Sequence, residues 1–130
     1  MHRLKLVPNE RIYYEFIRTL RNDERVQHGF IQRVQITQEE QRAYMEKYGN
    51  CYYICLCDGQ PAGYAGVIDR DIRVATHPDF QKKGVGKFMI QELMKIFPDA
   101  YAKIKIDNEV SLKLFSSAGF KPKYYILEKE

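Results

Sequence analysis

The chain has 130 residues, with 21 Lys and Arg against 17 Asp and Glu for a net charge of +4. That length suits a single domain spanning residues 1–130 and leaves little room for a second. The composition, 45% hydrophobic and 29% charged, is that of a globular protein, with no apolar run near the ~20 residues that a membrane span needs.

The charge is too small and too dispersed to argue for nucleic acid, although it suits an anionic ligand such as a phosphorylated cofactor. The opening run from Met1 to Pro8 has no apolar core of signal-peptide length, so a cytoplasmic location without membrane attachment is expected. Cys51, Cys55 and Cys57 are odd in number and share one apolar run, which marks them as core thiols. If that run is a strand, all three lie on one face, too parallel for a relaxed disulfide. With no Cys-x-x-Cys and no His nearby in sequence, no metal site is expected.

Leu4 to Val7 reads as a short strand. Asn9 then offers an N-cap for a helix carrying Ile12, Tyr13, Phe16, Ile17 and Leu20 at helical spacing. Thr37-Gln38-Glu39-Glu40 has the form of a capping box, opening a second helix that ends at Gly49. Tyr52 to Leu56 favours a strand, Asp58-Gly59 a two-residue hairpin turn, and Gln60 to Ile68 the return strand. Asp69-Arg70 makes a second tight turn into a strand from Asp71 to Thr76. A helix follows with Val85, Phe88, Met89, Leu93 and Ile96 on its apolar face, ending at Pro98. Ala100 to Ile106 alternates as a strand, Asn108 caps a last helix through Ala118, and Gly119 supplies a left-handed stop. Lys121 to Leu127 closes as a strand, an edge able to pair between subunits, so a monomer or a homodimer is expected. The order β-α-α-β-β-β-α-β-α-β defines an α+β fold around a mixed sheet.

The stretch from Ile72 to Lys87 carries the chemistry. A strand feeds a short turn containing Gln81, Lys82, Lys83 and Gly84, and the turn opens a helix at Val85, Gly86 and Lys87. The first amides of a helix have no intrahelical acceptor and the helix dipole favours an anion there, so this is a phosphate or pyrophosphate cradle. Neither the Walker A nor the Rossmann glycine spacing is present, which disfavours nucleotide hydrolysis and dinucleotide redox chemistry.

The pattern Gln-x-x-Gly-x-Gly at Gln81–Gly86 after a strand resembles the cofactor motif of the GNAT superfamily of acyl-CoA N-acyltransferases. Asn108 to Phe120 is similar to the later signature of the same family, and the order of elements resembles its fold over nearly the whole chain. The resemblance implies a mixed, mostly antiparallel sheet flanked by helices, with a splayed strand pair that binds acetyl-CoA. It implies that Val74 and Thr76 offer backbone groups to the pantetheine arm and that the amides from Gln81 through Lys87 hold the pyrophosphate. It also places Asn108 at the arm or the thioester and sets Ser111 and Phe115 along the cofactor wall.

The reaction implied is direct attack of an amine on the thioester, with no covalent enzyme intermediate. Asp71 is the preferred base, though Asp69 and Asp71 equally suit turn residues flanking Arg70, and His77 is a weaker candidate. The family's usual acid is a tyrosine, and the matching residue here is Phe115; the thiolate leaves unassisted, or Tyr124, Tyr125 or a water takes that part. The acceptor is expected to meet the segment from Arg21 to Ile36. Arg21, Asn22, Arg25 and His28 give it a lining suited to a nucleotide-linked amino sugar or another small amine. The rival readings are a peptide or protein N-acetyltransferase and a non-catalytic CoA-binding module.

Overall fold

The computed structural model describes residues 2–31 and 34–130. Met1, at the head of the expected N-terminal segment, and Gln32 and Arg33, inside the expected acceptor segment, lie outside the described residues. Four strands, β1 (Leu4–Pro8), β2 (Tyr52–Cys57), β3 (Gln60–Ile68) and β4 (Asp71–Thr76), form one antiparallel sheet in chain order. Helices α1 (Tyr14–Asn22), α2 (Glu24–Gln27) and α3 (Gln38–Tyr48) precede β2, while α4 (Val85–Ile96) and α5 (Glu109–Ser117) follow β4.

Strand alternation sorts the core into two layers. On β2, Tyr53, Cys55 and Cys57 pack with Val85, Met89, Ile90 and Leu93 of α4 and Phe115 of α5. Tyr52, Ile54 and Leu56 pack on the other side with Ile17 and Leu20 of α1 and Met45 of α3. The sheet is therefore apolar on both faces, which requires a helix layer on each. No helix among the described residues is long and apolar enough to cross a membrane.

The expected turns form, because their residues tolerate positive φ. Asp58 and Gly59 sit at φ 50° and 86°, and Asp69 and Arg70 at 51° and 69°, the left-handed pair that matches the twist of the strands they join. Thr37 makes the capping box: its hydroxyl accepts from the Glu40 N–H at 3.1 Å, and the Glu40 carboxylate accepts from the Thr37 N–H at 3.0 Å. Gly119 has φ 97° and ends the last helix as expected.

Several expectations are corrected. Asn9 caps nothing; a 3-10 turn over Arg11–Tyr13 precedes α1, Ile12 is exposed, and the Asn9 amide instead donates to the Gly49 carbonyl at 3.2 Å. Gly49 ends α3 as expected, keeping right-handed backbone and passing the chain into a 3-10 turn that ends at Cys51. That turn puts Cys51 out of phase with Cys55 and Cys57, against the other core layer. Ile96, at the end of α4, is largely exposed.

The two expected late strands do not form. Residues 100–106 touch the sheet only at one parallel bridge, Asp71 to Tyr101, with Ile72 N–H donating to the Tyr101 carbonyl at 2.9 Å and Tyr101 N–H to the Arg70 carbonyl at 2.8 Å. Beyond it the alternation survives as side-chain burial, Ala102 and Ile104 inward and Lys103 and Lys105 outward, without a ladder. Lys121 to Leu127 is exposed throughout, because the edge it needs has left the sheet, and Phe120 is the last residue packed into the core, edge-on to Phe115.

At the β3 bulge Cys55 faces Gly63 and Leu56 faces Pro61, leaving Ala62 as the extra residue. The Ala62 carbonyl accepts from the His77 N–H at 2.8 Å, which fixes the chain as it leaves β4. Gly63 lets β3, β4 and α4 close up: a Cβ there would lie 2.6 Å from the Ala75 carbonyl oxygen and 2.9 Å from Met89 Cε. Gly63→Ala is therefore expected to destabilise the fold by about 1–3 kcal/mol, seen as a lower urea midpoint with an unchanged slope. Burial, with Cys57 adding to it, pushes the Cys55 thiol up to about 11. The unfolded chain deprotonates first, so this contribution is intact below about pH 8.5 and lost as the pH rises toward 11. Cys55→Ala should flatten the fall in urea midpoint over that alkaline range.

Candidate cofactor and acceptor site

Gly84 stands at the head of α4 with φ 79°, and Lys82 before it at 63°. These left-handed residues turn the chain so that its N–H groups face outward. The Phe88 N–H is the first to find a helical acceptor, the Gly84 carbonyl at 3.0 Å; those of Lys82 to Lys87 have no partner of hydrogen-bonding geometry among the described residues. A Cβ on Gly84 would meet nothing within 4 Å, so the space in front of these donors is open. Lys82, Lys83 and Lys87 are exposed around it, with the Lys83 ammonium 5.5 Å from the Phe80 ring centre. Val85 is instead a core residue, buried behind the turn, with only its backbone facing the cradle. Gly86 serves packing: a Cβ there would be 3.0 Å from Leu114 Cδ2 of α5. The donor set, the helix dipole and the open approach together fit a pyrophosphate.

A strand edge runs into this cradle. Because Ile72 N–H points away from β3, toward Tyr101, alternation turns the backbone groups of Val74 and Thr76 the same way. From Ala102 the chain departs, and no described residue pairs with that edge. Two free steps of strand thus lead directly to six free amides. β4 therefore has an open edge here, although the strand expected to splay from it does not form.

The remaining expected residues divide. Asn108 caps α5, its oxygen accepting from the Ser111 N–H at 3.1 Å, while its amide donates to the Gly29 carbonyl at 3.1 Å. It ties α5 to the segment after α2, and Ser111 is drawn into that cap. Phe115 is only 6% exposed and belongs to the core, so it is not a free wall. Asp71 lies on the α1/α3 face at the far end of β4, about 16 Å of extended chain from Thr76, and its carboxylate is 3.4 Å from Arg73 Nε. His77 accepts the Asp79 N–H at 3.1 Å and so caps the 3-10 turn Pro78–Phe80. Tyr124 and Tyr125 are exposed on the unpaired tail.

In the acceptor segment, Asn22 is committed to the fold. Its amide donates to the Ile36 carbonyl at 2.9 Å and its oxygen accepts from the Ile36 N–H at 2.7 Å. Arg25 closes on Asp23 through two bonds, at 3.1 and 2.7 Å; the Arg25 guanidinium holds the Asp23 carboxyl below its usual range. His28 is exposed. Arg21 lines an open depression of about 420 Å³ shared with Ile36, Glu40, Ala43 and Tyr44.

Sequence reasoning missed the polar cluster on this face. The Arg21 guanidinium lies over the Tyr44 ring, 4.7 Å from its centre; the Tyr44 and Tyr52 hydroxyls are 2.7 Å apart; and Tyr52 meets Tyr64 edge-on at 5.6 Å. Only the strand register, which places Tyr64 opposite Ala75 and one step from Arg73, reveals it. At the far end of the sheet His2 and Asp58 come within 4.8 Å of Cys57, a proximity that the absence of a sequence-near His did not anticipate.

The acetyltransferase (GNAT) family model matches residues 13–120, and the chain belongs to that family. A sequence relative, an uncharacterised protein of Mycobacterium leprae, is 27% identical over 92 residues, 58% of this chain; the match spans about a quarter, 26%, of that protein's length. Among solved structures, spermidine N-acetyltransferase of Vibrio cholerae in complex with CoA and spermine superposes with a TM-score of 0.82 at 16% identity, covering 97% of this chain and 85% of that one. An N-acetyltransferase of Staphylococcus aureus superposes with a TM-score of 0.75 at 19% identity, covering 92% and 84%. These likenesses establish the fold.

The bonds of Asn22 predict a structural part for it. Asn22→Leu should cost about 1–3 kcal/mol through two lost hydrogen bonds to the Ile36 backbone, measured by thermal unfolding, and should leave the affinity for CoA unchanged.

Proposed function

We propose that the protein transfers an acetyl group from acetyl-CoA to a primary amine. The observation that carries this reading is the continuity of the open β4 edge with the unpaired amides at the head of α4. An extended amide-bearing arm ending in a pyrophosphate matches that sequence of donors and acceptors in length and order. Family membership and the CoA bound in the Vibrio cholerae relative support it.

Acetyl-CoA supplies the thioester carbonyl that the amine attacks and the thiolate that leaves. The backbone groups of Val74 and Thr76 hold the arm as an added strand, and an outward N–H of that edge donates to the carbonyl oxygen as charge builds there. The amides from Lys82 through Lys87 bind the pyrophosphate and the lysines around them offset its charge, while the Gln81 N–H, expected to join them, is taken by the Pro78 carbonyl at 3.4 Å. The amine's proton passes to solvent water, because Asp71, paired with Arg73 at the far end of β4, lies beyond the reach of a base acting through one water. Phe115 donates no proton, so the thiolate departs unprotonated, which the ordinary thiol range allows near neutral pH. Asn108 and Ser111 act as positioning residues, holding α5 against the segment after α2.

Buried Phe115, at the position of the usual acid, is the observation that favours the rival reading of a CoA-binding module without turnover. Calorimetric titration with acetyl-CoA, followed by thiol release in the presence of a mixed amine pool, decides between them. Binding with release supports transfer; binding without release from any amine, peptides included, supports the module; the absence of binding overturns both. Gly84→Val, which puts a side chain in the open cradle and strains a left-handed residue, should weaken acetyl-CoA binding by about 30-fold or more.

A further inference from the structure

Three side chains of ligand type meet where the chain enters the sheet. His2 precedes β1, Cys57 ends β2 and Asp58 opens the turn to β3, and their ligating atoms all lie within 4.8 Å of one another. In the chain 56 positions separate His2 from Asp58, so the sheet register alone brings them together. Leu4 faces Cys57, and one step further the Asp58 N–H donates to the Arg3 carbonyl at 2.8 Å, which carries His2 over the turn. Neighbouring residues of a strand point to opposite faces. Asp58 has left the strand, at φ 50°, and its carboxylate comes to the side of the Cys57 thiol.

His2 Nδ1 and Asp58 Oδ2 are 3.3 Å apart. An exposed pair of that length is by itself an ordinary surface contact. The thiol beside it sets this pair apart. Nitrogen and carboxylate ligands held about 2.0–2.1 Å from a tetrahedral ion stand about 3.3 Å from each other, so the two groups already have the separation of two zinc ligands. The Arg3 N–H donates to Asp58 Oδ1 at 2.9 Å, which orients the carboxylate and leaves Oδ2 to the site, the outer support that ligating carboxylates ordinarily have. Cys57 is only 2% exposed, beneath two exposed groups, and is a free thiol.

We propose that His2, Cys57 and Asp58 bind a zinc ion, with water in the fourth position. Thiolate, imidazole and carboxylate are ligands that zinc accepts together, whereas calcium and magnesium take oxygen ligands. The thiolate and the carboxylate cancel the two charges of the ion, and the neutral imidazole adds none. The thiol proton passes to solvent as the zinc–sulfur bond forms, without any change of oxidation state. A small rotation of the exposed His2 ring completes the set. The ion clamps the head of β1, an edge strand of five residues paired only with β2, to the β2–β3 turn. Its effect falls on the stability of that edge, and none of its three ligands belongs to the cofactor cradle.

The full chain, carrying no affinity tag, is titrated with cobalt(II), which zinc then displaces. A thiolate-to-cobalt charge-transfer band and d–d bands of tetrahedral intensity are expected at one ion per chain, with a zinc Kd of about 1 μM or tighter. Cys57→Ser should abolish the charge-transfer band, while Cys55→Ala should leave it in place. His2→Gln and Asp58→Asn alter exposed positions, and Asn also tolerates positive φ; each should weaken zinc binding by about 30-fold or more. These two carry the test if Cys57→Ser fails to fold. Saturating zinc should raise the urea midpoint and slow amide exchange along β1 in the unaltered chain and in neither effect in His2→Gln. Absence of the charge-transfer band, a band that survives Cys57→Ser, or a zinc affinity unchanged in both His2→Gln and Asp58→Asn overturns the inference.

Discussion

The site depends on one departure. After the single bridge at Asp71 and Tyr101 the chain leaves β4, so the outward backbone groups of Val74 and Thr76 have no partner among the described residues. Backbone polar groups in folded proteins are nearly always paired, and a free edge that runs into a helix head with free amides is a strong constraint on what must lie there. The surrounding structure holds this gap open. The bulge at Ala62 captures His77 and fixes the end of β4; Gly63 brings α4 close against the sheet; Gly86 admits Leu114 of α5 beside the cradle. Asn108 then braces α5 against Gly29 on the other side.

The two faces of the sheet divide the work. The edge of β4 and the head of α4 present backbone donors and acceptors. The α1/α3 face presents side chains instead, a tyrosine cluster with the Arg21 guanidinium over the Tyr44 ring.

Local signals in the sequence were read well because their physics is local. The capping box at Thr37, the left-handed turns at Asp58-Gly59 and Asp69-Arg70, the glycine stop at Gly119 and the start of α4 at Val85 all follow from residues a few positions apart. The failures needed tertiary information. Alternation at Ala100 to Ile106 reports which side chains are buried and says nothing of whether a ladder forms, and the tail loses its strand for the same reason. Asn9 and Asn22 carry good capping and ligand chemistry, yet long-range bonds to Gly49 and Ile36 claim them. Tyr64 and Arg73 were invisible as a pair because only the β3–β4 register brings them together.

The most direct test of the account is backbone amide NMR of the protein titrated with CoA. The account predicts perturbation concentrated at the N–H groups of Val74, Thr76 and Lys82 to Lys87, with those of β1 and β2 unmoved. Perturbation centred elsewhere, with those amides unchanged while CoA binds, would contradict it.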